Sequence, residues 1–202
     1  NMNFYFRKGI AFSKIGTDFT CRIHRKPSIF DVAASSIFLK KDDPSTLISL
    51  LCMLNSSKAR KLMNDLNPTV NFQVGDVERL PLVALEDPTS IYQNLEQSFL
   101  EHESRQETSL NFKSPGSSSW AYTQSWAQQA LDRPQNTPLP TYNKHDVLPS
   151  PSAYISYALG VSLGRFHPQG KGIIDPNQDN INHALNDGIL FLNAMHEMLS
   201  FC

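Results

Sequence analysis

The chain has 202 residues, 40% of them hydrophobic, and a formal net charge of −1. That is enough for one domain or two small ones with a real core. It excludes a membrane-spanning helix, because no run approaches the ~18 apolar residues such a span needs.

The N-terminal pattern is not that of a secretory signal. The three cysteines, Cys21, Cys52 and Cys202, are few and odd in number, which points to a reducing compartment, the cytoplasm, with no disulfide framework. The near-zero charge hides a polarity. Residues 1–63 carry eleven basic and four acidic residues, a balance of +7, and residues 64–202 carry seven and fifteen, a balance of −8. A basic first third suits a polyanionic partner, or else is a solvated surface that happens to be basic.

In chain order, the first forty residues have strand character. Phe19, Cys21 and Ile23 alternate with Thr20 and Arg22, and Phe4-Tyr5-Phe6 and Ile29-Phe30 have strand composition. A helix is predicted after Asp43, which can cap it, with Pro44 at its first position and Leu47, Leu50, Leu51 and Leu54 on one stripe. Asn55-Ser56-Ser57 interrupts it. A second helix follows with Ala59, Leu62, Met63 and Leu66 on its inner side. Then comes LNPTVNFQVGD (66–76), in which Val70, Phe72 and Val74 alternate with Asn71 and Gln73. That pattern predicts a half-buried strand closed by a Gly75-Asp76 turn.

Beyond residue 88 the pattern turns helical. Ile91, Leu95 and Phe99 are four apart, and residues 101–109 are wholly polar. Residues 114–119 and the proline-rich 134–151 read as loops or linker. Two more helices are expected, one over 152–165 and one holding Ile181, Leu185, Ile189, Leu192, Met195 and Leu199 at helical spacing. The expected organisation is α+β: a recognition lobe with a twisted mixed sheet and packed helices over 1–83, helix and linker over 84–142, and a helical region over 143–202.

Catalytic chemistry finds little support. There is no glycine-rich phosphate loop. Cys21-x-x-His24 is half of a zinc spacing without a second half, and an ordinary strand explains it better. His183 and His196 read as surface or core histidines. Glu101, Glu103 and Glu107 can hold a metal in principle, but read as a solvated helix face. No serine has a histidine at nucleophile spacing. The binding residues are a different matter. Lys8, Lys14, Arg22, Arg25, Lys26, Lys40 and Lys41 can neutralise phosphates, and Ser13, Ser35 and Ser36 can donate to them. Asn71 and Gln73 can read adenine edges, or can satisfy backbone groups at a helix–strand junction.

Four ordered stretches carry a resemblance: Gly9-Ile10-Ala11-Phe12-Ser13-Lys14-Ile15; Phe30-Asp31-Val32-Ala33-Ala34-Ser35-Ser36-Ile37-Phe38; Leu54-Asn55-Ser56; and LNPTVNFQVGDVERLPL. Together they resemble the C-terminal target-recognition region of large adenine-specific DNA methyltransferases, notably the PglX group of BREX phage-defence systems and related fused restriction–modification enzymes. Glu103 to Phe112, and Tyr154 to Gly160 with Gly164-Arg165-Phe166, are similar to segments that follow that region; 114–150 is least covered. Ala34 stands where related sequences are expected to have glycine. The resemblance implies double-stranded DNA as partner, together with the catalytic domain of the same polypeptide and other defence-system subunits. It implies S-adenosylmethionine and methyl transfer to adenine N6 for a full-length enzyme. This chain lacks the cofactor loop and the Asn-Pro-Pro-Tyr type motif, since Asn67-Pro68-Thr69 is not one. No cofactor and no catalytic residue is therefore expected in it, and it reads as a fragment. The alternative is a module that docks the catalytic domain or a partner subunit.

Overall fold

The computed structural model describes residues 2–31, 34–167, 169 and 172. It divides into two compact units, one of residues Asn1–His102 with Ser118–Val147, the other of Glu103–Ser117 with Leu148–Cys202. The expected helix around Ile181–Leu199, with His183 and His196, lies outside the described residues.

The first unit is α+β. Strands β1 (Ile10–Phe12), β2 (Cys21–Ile23) and β3 (Ser36–Ile37) form a sheet in the order β2-β1-β3, antiparallel in both pairings. Alternation decides what each face does. Ile10, Phe12, Cys21, Ile23 and Ile37 share the inner face and pack with α1 (Pro44–Leu54) and α2 (Ser57–Leu66). The Asp43 carboxylate caps α1 by accepting from the N–H groups of Ser45 (3.1 Å) and Thr46 (3.2 Å). The Thr46 and Ser45 hydroxyls, and after them these backbone bonds, hold the Asp43 carboxyl below the usual carboxylate range. Leu47, Leu51 and Leu54 are buried as their spacing predicts. On α2, Ala59 and Met63 are buried while Leu62 is exposed.

The interruption Asn55-Ser56-Ser57 does three separate jobs. Asn55 ends α1. Ser56 Oγ caps α2 by accepting from Ala59 N–H (3.2 Å) and donates to the Met53 carbonyl (2.8 Å). Ser57 gives its N–H (2.7 Å) and hydroxyl (2.6 Å) to Asp132, at the end of α5 (Trp120–Asp132). Burial raises the Asp132 pKa, but the Ser57 and Gln128 hydrogen bonds outweigh it and the carboxyl titrates lower than usual.

Helix α5 falls in the stretch with no predicted element, and its inner face explains why. It is Thr123, Trp126, Ala127 and Ala130, three of them small or polar, so the apolar stripe is muted. It packs with α4 (Pro88–Glu103) around Ile91 and Trp126. The proline-rich stretch is fastened to this pair rather than left as a free linker. Leu139 and Tyr142 pack on it, Trp126 Nε1 donates to the Pro140 carbonyl (2.9 Å), and Ser118 bridges Val147.

Three local expectations change. Phe4-Tyr5-Phe6 and Ile29-Phe30 are not strands: Met2–Phe4 is a 3-10 turn, and Phe6 has φ 63°. Their rings instead form a cluster, with centroids 5.3 Å apart for Phe4–Phe38, 5.4 Å for Tyr5–Phe30 and 5.0 Å for Phe30–Phe38. The stretch 66–76 is not a strand of any length. Asn71 makes one bridge with Ile15, and Val74–Glu78 is a short helix, α3, so Gly75-Asp76 lies inside a helix. Only Phe72 is buried; Val70 and Val74 are exposed.

In the second unit, α6 (Pro151–Ser162) ends where Phe166 folds back over Gly160. Phe112, Tyr157 and Phe166 form a ring cluster with centroids 5.2–5.7 Å apart, and Arg165 pairs with Glu107. The two C-terminal stretches noted in the sequence thus meet in one small core. Among the described residues no helix is long and apolar enough to cross a membrane.

Candidate nucleic-acid interface

The outer face of the sheet starts from a register. Ala11 on β1 stands opposite Arg22 on β2 and Ser36 on β3, so a row Arg22–Ala11–Ser36 crosses the face. One half of this face is roofed. The Phe38 ring lies over Gly9, where a Cβ would fall 2.7 Å from it. The other half is open. There the small Ala11 floors a depression whose walls include Ser13, Thr20, Arg22 and Ala34. The hydroxyls of Ser13 and Thr20 are 3.3 Å apart. Arg22 is exposed and forms no ion pair among the described residues. The surface therefore offers a fork of donors beside two hydroxyls over an apolar floor, which suits phosphate or a base edge.

His24 locks the β3 side of this face. Its Nε2 lies 2.9 Å from Ser36 Oγ and its Nδ1 3.0 Å from Ser28 Oγ. Ser36 spends its hydroxyl hydrogen on the Ala34 carbonyl (3.2 Å), so Nε2 carries the proton and Nδ1 accepts from Ser28. Burial, then the nearby Arg22 charge, lowers the His24 pKa and so favours the neutral ring. Cys21 faces the core instead, where desolvation pushes its thiol up to about 12. Cys21 and His24 thus serve opposite faces of the sheet.

The junction after α2 is held chiefly by the Asn67 side chain, and Gln73 pairs with Asp76 at the start of α3. Asn67 Nδ2 donates to the Asn71 carbonyl (2.9 Å) and to the Asp76 carboxylate (2.6 Å), and its Oδ1 accepts from Thr69. The Asn67 bond and the Gln73 N–H lower the Asp76 pKa. The side chains of Asn71 and Gln73 are left exposed.

The structure sorts the sequence-derived candidates. Ser13 and Arg22 meet at the depression, Asn71 is the bridge partner of Ile15, and Lys14 is next to that bridge. Lys8, Lys26, Lys40 and Lys41 are exposed in the first unit, and Ser35, partly exposed, uses its carbonyl to accept from Phe12 N–H (3.1 Å). Two candidates are occupied within the protein. Arg25 pairs with Glu96 (2.7 Å) and lies 3.7 Å from the Phe99 ring centroid, so it ties β2 to α4. Ser36 is committed to His24 and Ala34. Thr20, Ile15 and His24 were not singled out for binding. Thr20 was legible only as the alternation partner of Cys21, and Ile15 only once its bridge is known. The acidic cluster is dispersed: Glu101 pairs with Lys144 (2.7 Å), Glu103 accepts from Ser109 (2.8 Å), and Glu107 pairs with Arg165. Among the described residues no three His, Cys, Asp or Glu side chains gather to hold a metal.

With this geometry in place, comparison with known proteins adds a relationship. No protein-family model matches the chain. Over 84 residues, 41% of the chain, it is 29% identical to the adenine-specific methyltransferase BrxX of Escherichia coli O9:H4 (strain HS). Over 89 residues, 44% of the chain, it is 34% identical to the adenine-specific methyltransferase PglX of Lacticaseibacillus casei (strain Zhang). Part of this chain is related to adenine-specific methyltransferases. The matched stretch is 7% of the length of either relative.

Proposed function

We propose that the chain is the DNA-binding target-recognition part of a larger adenine-N6 DNA methyltransferase of a phage-defence or restriction–modification system. The observation that carries this reading is the open half of the outer sheet face. It combines Arg22, which has no ion pair among the described residues, the Ser13–Thr20 hydroxyl pair and a floor of Ala11, within the stretch 1–63 where basic residues outnumber acidic ones eleven to four. Similarity to two adenine-specific methyltransferases supplies the chemistry of the whole enzyme. Lys8, Lys14, Lys26, Lys40 and Lys41 hold phosphates, Ser13, Ser35, Asn71 and Gln73 lie along the contacted surface, and Arg25 and Ser36 brace it through Glu96 and His24.

The methyl transfer itself belongs elsewhere in the polypeptide. It takes a methyl group from S-adenosylmethionine to an adenine extruded from the duplex. Double-stranded DNA and the catalytic domain are the partners, and the cytoplasm is the compartment.

Duplex binding followed by fluorescence anisotropy across salt concentrations tests this. With roughly six phosphate contacts, log affinity falls with log salt at a slope near −5, and changing Arg22, Lys40 and Lys41 to Ala flattens it to about −3. Absence of DNA contact by the chain, alone and when rejoined to its catalytic domain, sinks the proposal.

A second reading has its own observation. Tyr154, Ile155, Leu159, Val161 and Leu163 on and just after α6 are 41–62% exposed. Such a face suits docking of the catalytic domain or another defence-system subunit. Leu159→Lys weakens that association and leaves the salt slope of DNA binding unchanged.

A further inference from the structure

We propose that Ile15 and Asn71 act together as the reader of one A·T base pair in the major groove, an inference that rests on the DNA-binding reading above. The argument begins with two backbone hydrogen bonds. Phe72 N–H donates to the Lys14 carbonyl (2.7 Å) and Gly16 N–H donates to the Val70 carbonyl (3.0 Å). They flank the Ile15–Asn71 bridge. In an antiparallel arrangement this makes Ile15 and Asn71 a non-hydrogen-bonded pair, the kind whose Cα atoms approach to about 4.5 Å and whose side chains stand side by side on one face.

That face points to solvent. Phe72, the next residue, is buried with its ring 5.4 Å from that of Phe19, so alternation turns Asn71 outward. Ile15 is 75% exposed, and the Asn71 amide makes no hydrogen bond among the described residues. The backbone at Asn71 is nevertheless held on both sides. Asn67 holds its carbonyl, and the Thr69 hydroxyl accepts from its N–H (3.3 Å). A fixed backbone presenting an unoccupied amide is what base reading requires, because little freedom is then lost on binding.

The two side chains match one base pair. In the major groove adenine shows an acceptor, N7, beside a donor, the N6 amine, and a carboxamide supplies one donor and one acceptor to meet them. Its thymine partner shows the C5-methyl, the one apolar group on any base-pair edge there, and Ile15 supplies an apolar surface beside the amide. A G·C pair offers no methyl, and guanine has two acceptors where the amide needs one acceptor and one donor. Lys14, next to Ile15, reaches the neighbouring phosphate.

Selection from a random duplex pool tests the proposal with the 202-residue chain and three variants, Asn71→Ala, Ile15→Ser and Asn71→Arg. Both positions of change are exposed, and melting curves confirm that each variant is folded. The expected result is an enriched motif with one fixed A·T pair. Asn71→Ala loses about tenfold or more of the discrimination at that pair alone, Ile15→Ser loses the preference for thymine, and Asn71→Arg shifts the position to G·C. An unchanged motif in Asn71→Ala, or salt-sensitive binding by the unaltered chain with no motif at all, overturns the Ile15–Asn71 reader and leaves DNA binding standing. No duplex binding at low salt by the unaltered chain overturns the reader, and the same null result with the rejoined enzyme removes the DNA-binding reading as well.

Discussion

The side-chain amide of Asn55 pairs with the backbone of Cys21 from both ends: Oδ1 accepts from Cys21 N–H (3.1 Å) and Nδ2 donates to the Cys21 carbonyl (3.0 Å). One side chain thus takes the place of a fourth strand at the edge of β2. The same Nδ2 also donates to the Leu51 carbonyl (2.9 Å), which accepts the Asn55 backbone N–H as well (3.2 Å), so Asn55 closes the end of α1 with side chain and backbone together.

Asn55→Ala removes all three bonds and orphans the edge of β2. Each such bond contributes about 1 kcal/mol, and an unsatisfied buried group costs more, so a loss of about 2–4 kcal/mol is expected. Urea unfolding measures it. An unchanged midpoint would mean that water replaces Asn55 without cost.

His24 makes stability depend on pH. Its folded pKa lies below the ordinary value of about 6.5. A lowered histidine contributes stability that is present above the unfolded pKa and is lost as pH falls through the folded one. Urea midpoints between pH 7.5 and 5 should therefore fall more in the unaltered chain than in His24→Gln. Parallel pH curves would rule out His24 as the source.

Arg25→Ala should act on the fold and not on DNA. It breaks the Glu96 pair and the contact with Phe99, and leaves the charge of Glu96, whose buried Oε2 has no hydrogen-bond partner among the described residues, without its cation. A destabilisation of about 1–2 kcal/mol follows from the lost cation–π contact and hydrogen-bonded pair. The salt slope of DNA binding stays the same. A flatter slope instead would place Arg25 among the phosphate contacts.

Gly160→Ala forces a Cβ into the Phe166 ring. Overpacking of this kind costs about 1–3 kcal/mol, and here it falls on the Phe112–Tyr157–Phe166 cluster. Proteolysis of the second unit should become faster, with cleavage beginning near residues 163–167. Phe166→Ala combined with Gly160→Ala relieves the clash and shows whether the ring is its cause.

The sequence determined what acts over a few residues. Asp43, Pro44 and the Leu47–Leu51–Leu54 stripe specify α1 because capping bonds and helix periodicity span at most a turn or two. Alternation at Phe19, Cys21 and Ile23 specifies β2, and charge counting alone locates the basic lobe. The tertiary structure decided which of those residues meet. Arg25 and Arg22 are equivalent in sequence, yet one is consumed by Glu96 and Phe99, 71 and 74 residues away, and the other remains open. Ile15 and Asn71 carry no mark of partnership until two backbone hydrogen bonds between distant loops set them side by side. Helix α5 escaped because its inner face is small and polar, so nothing periodic announced it. Local hydrogen bonding and periodicity are written within a turn of the chain; which exposed groups stay free for a ligand depends on long-range pairing, and only folding supplies that.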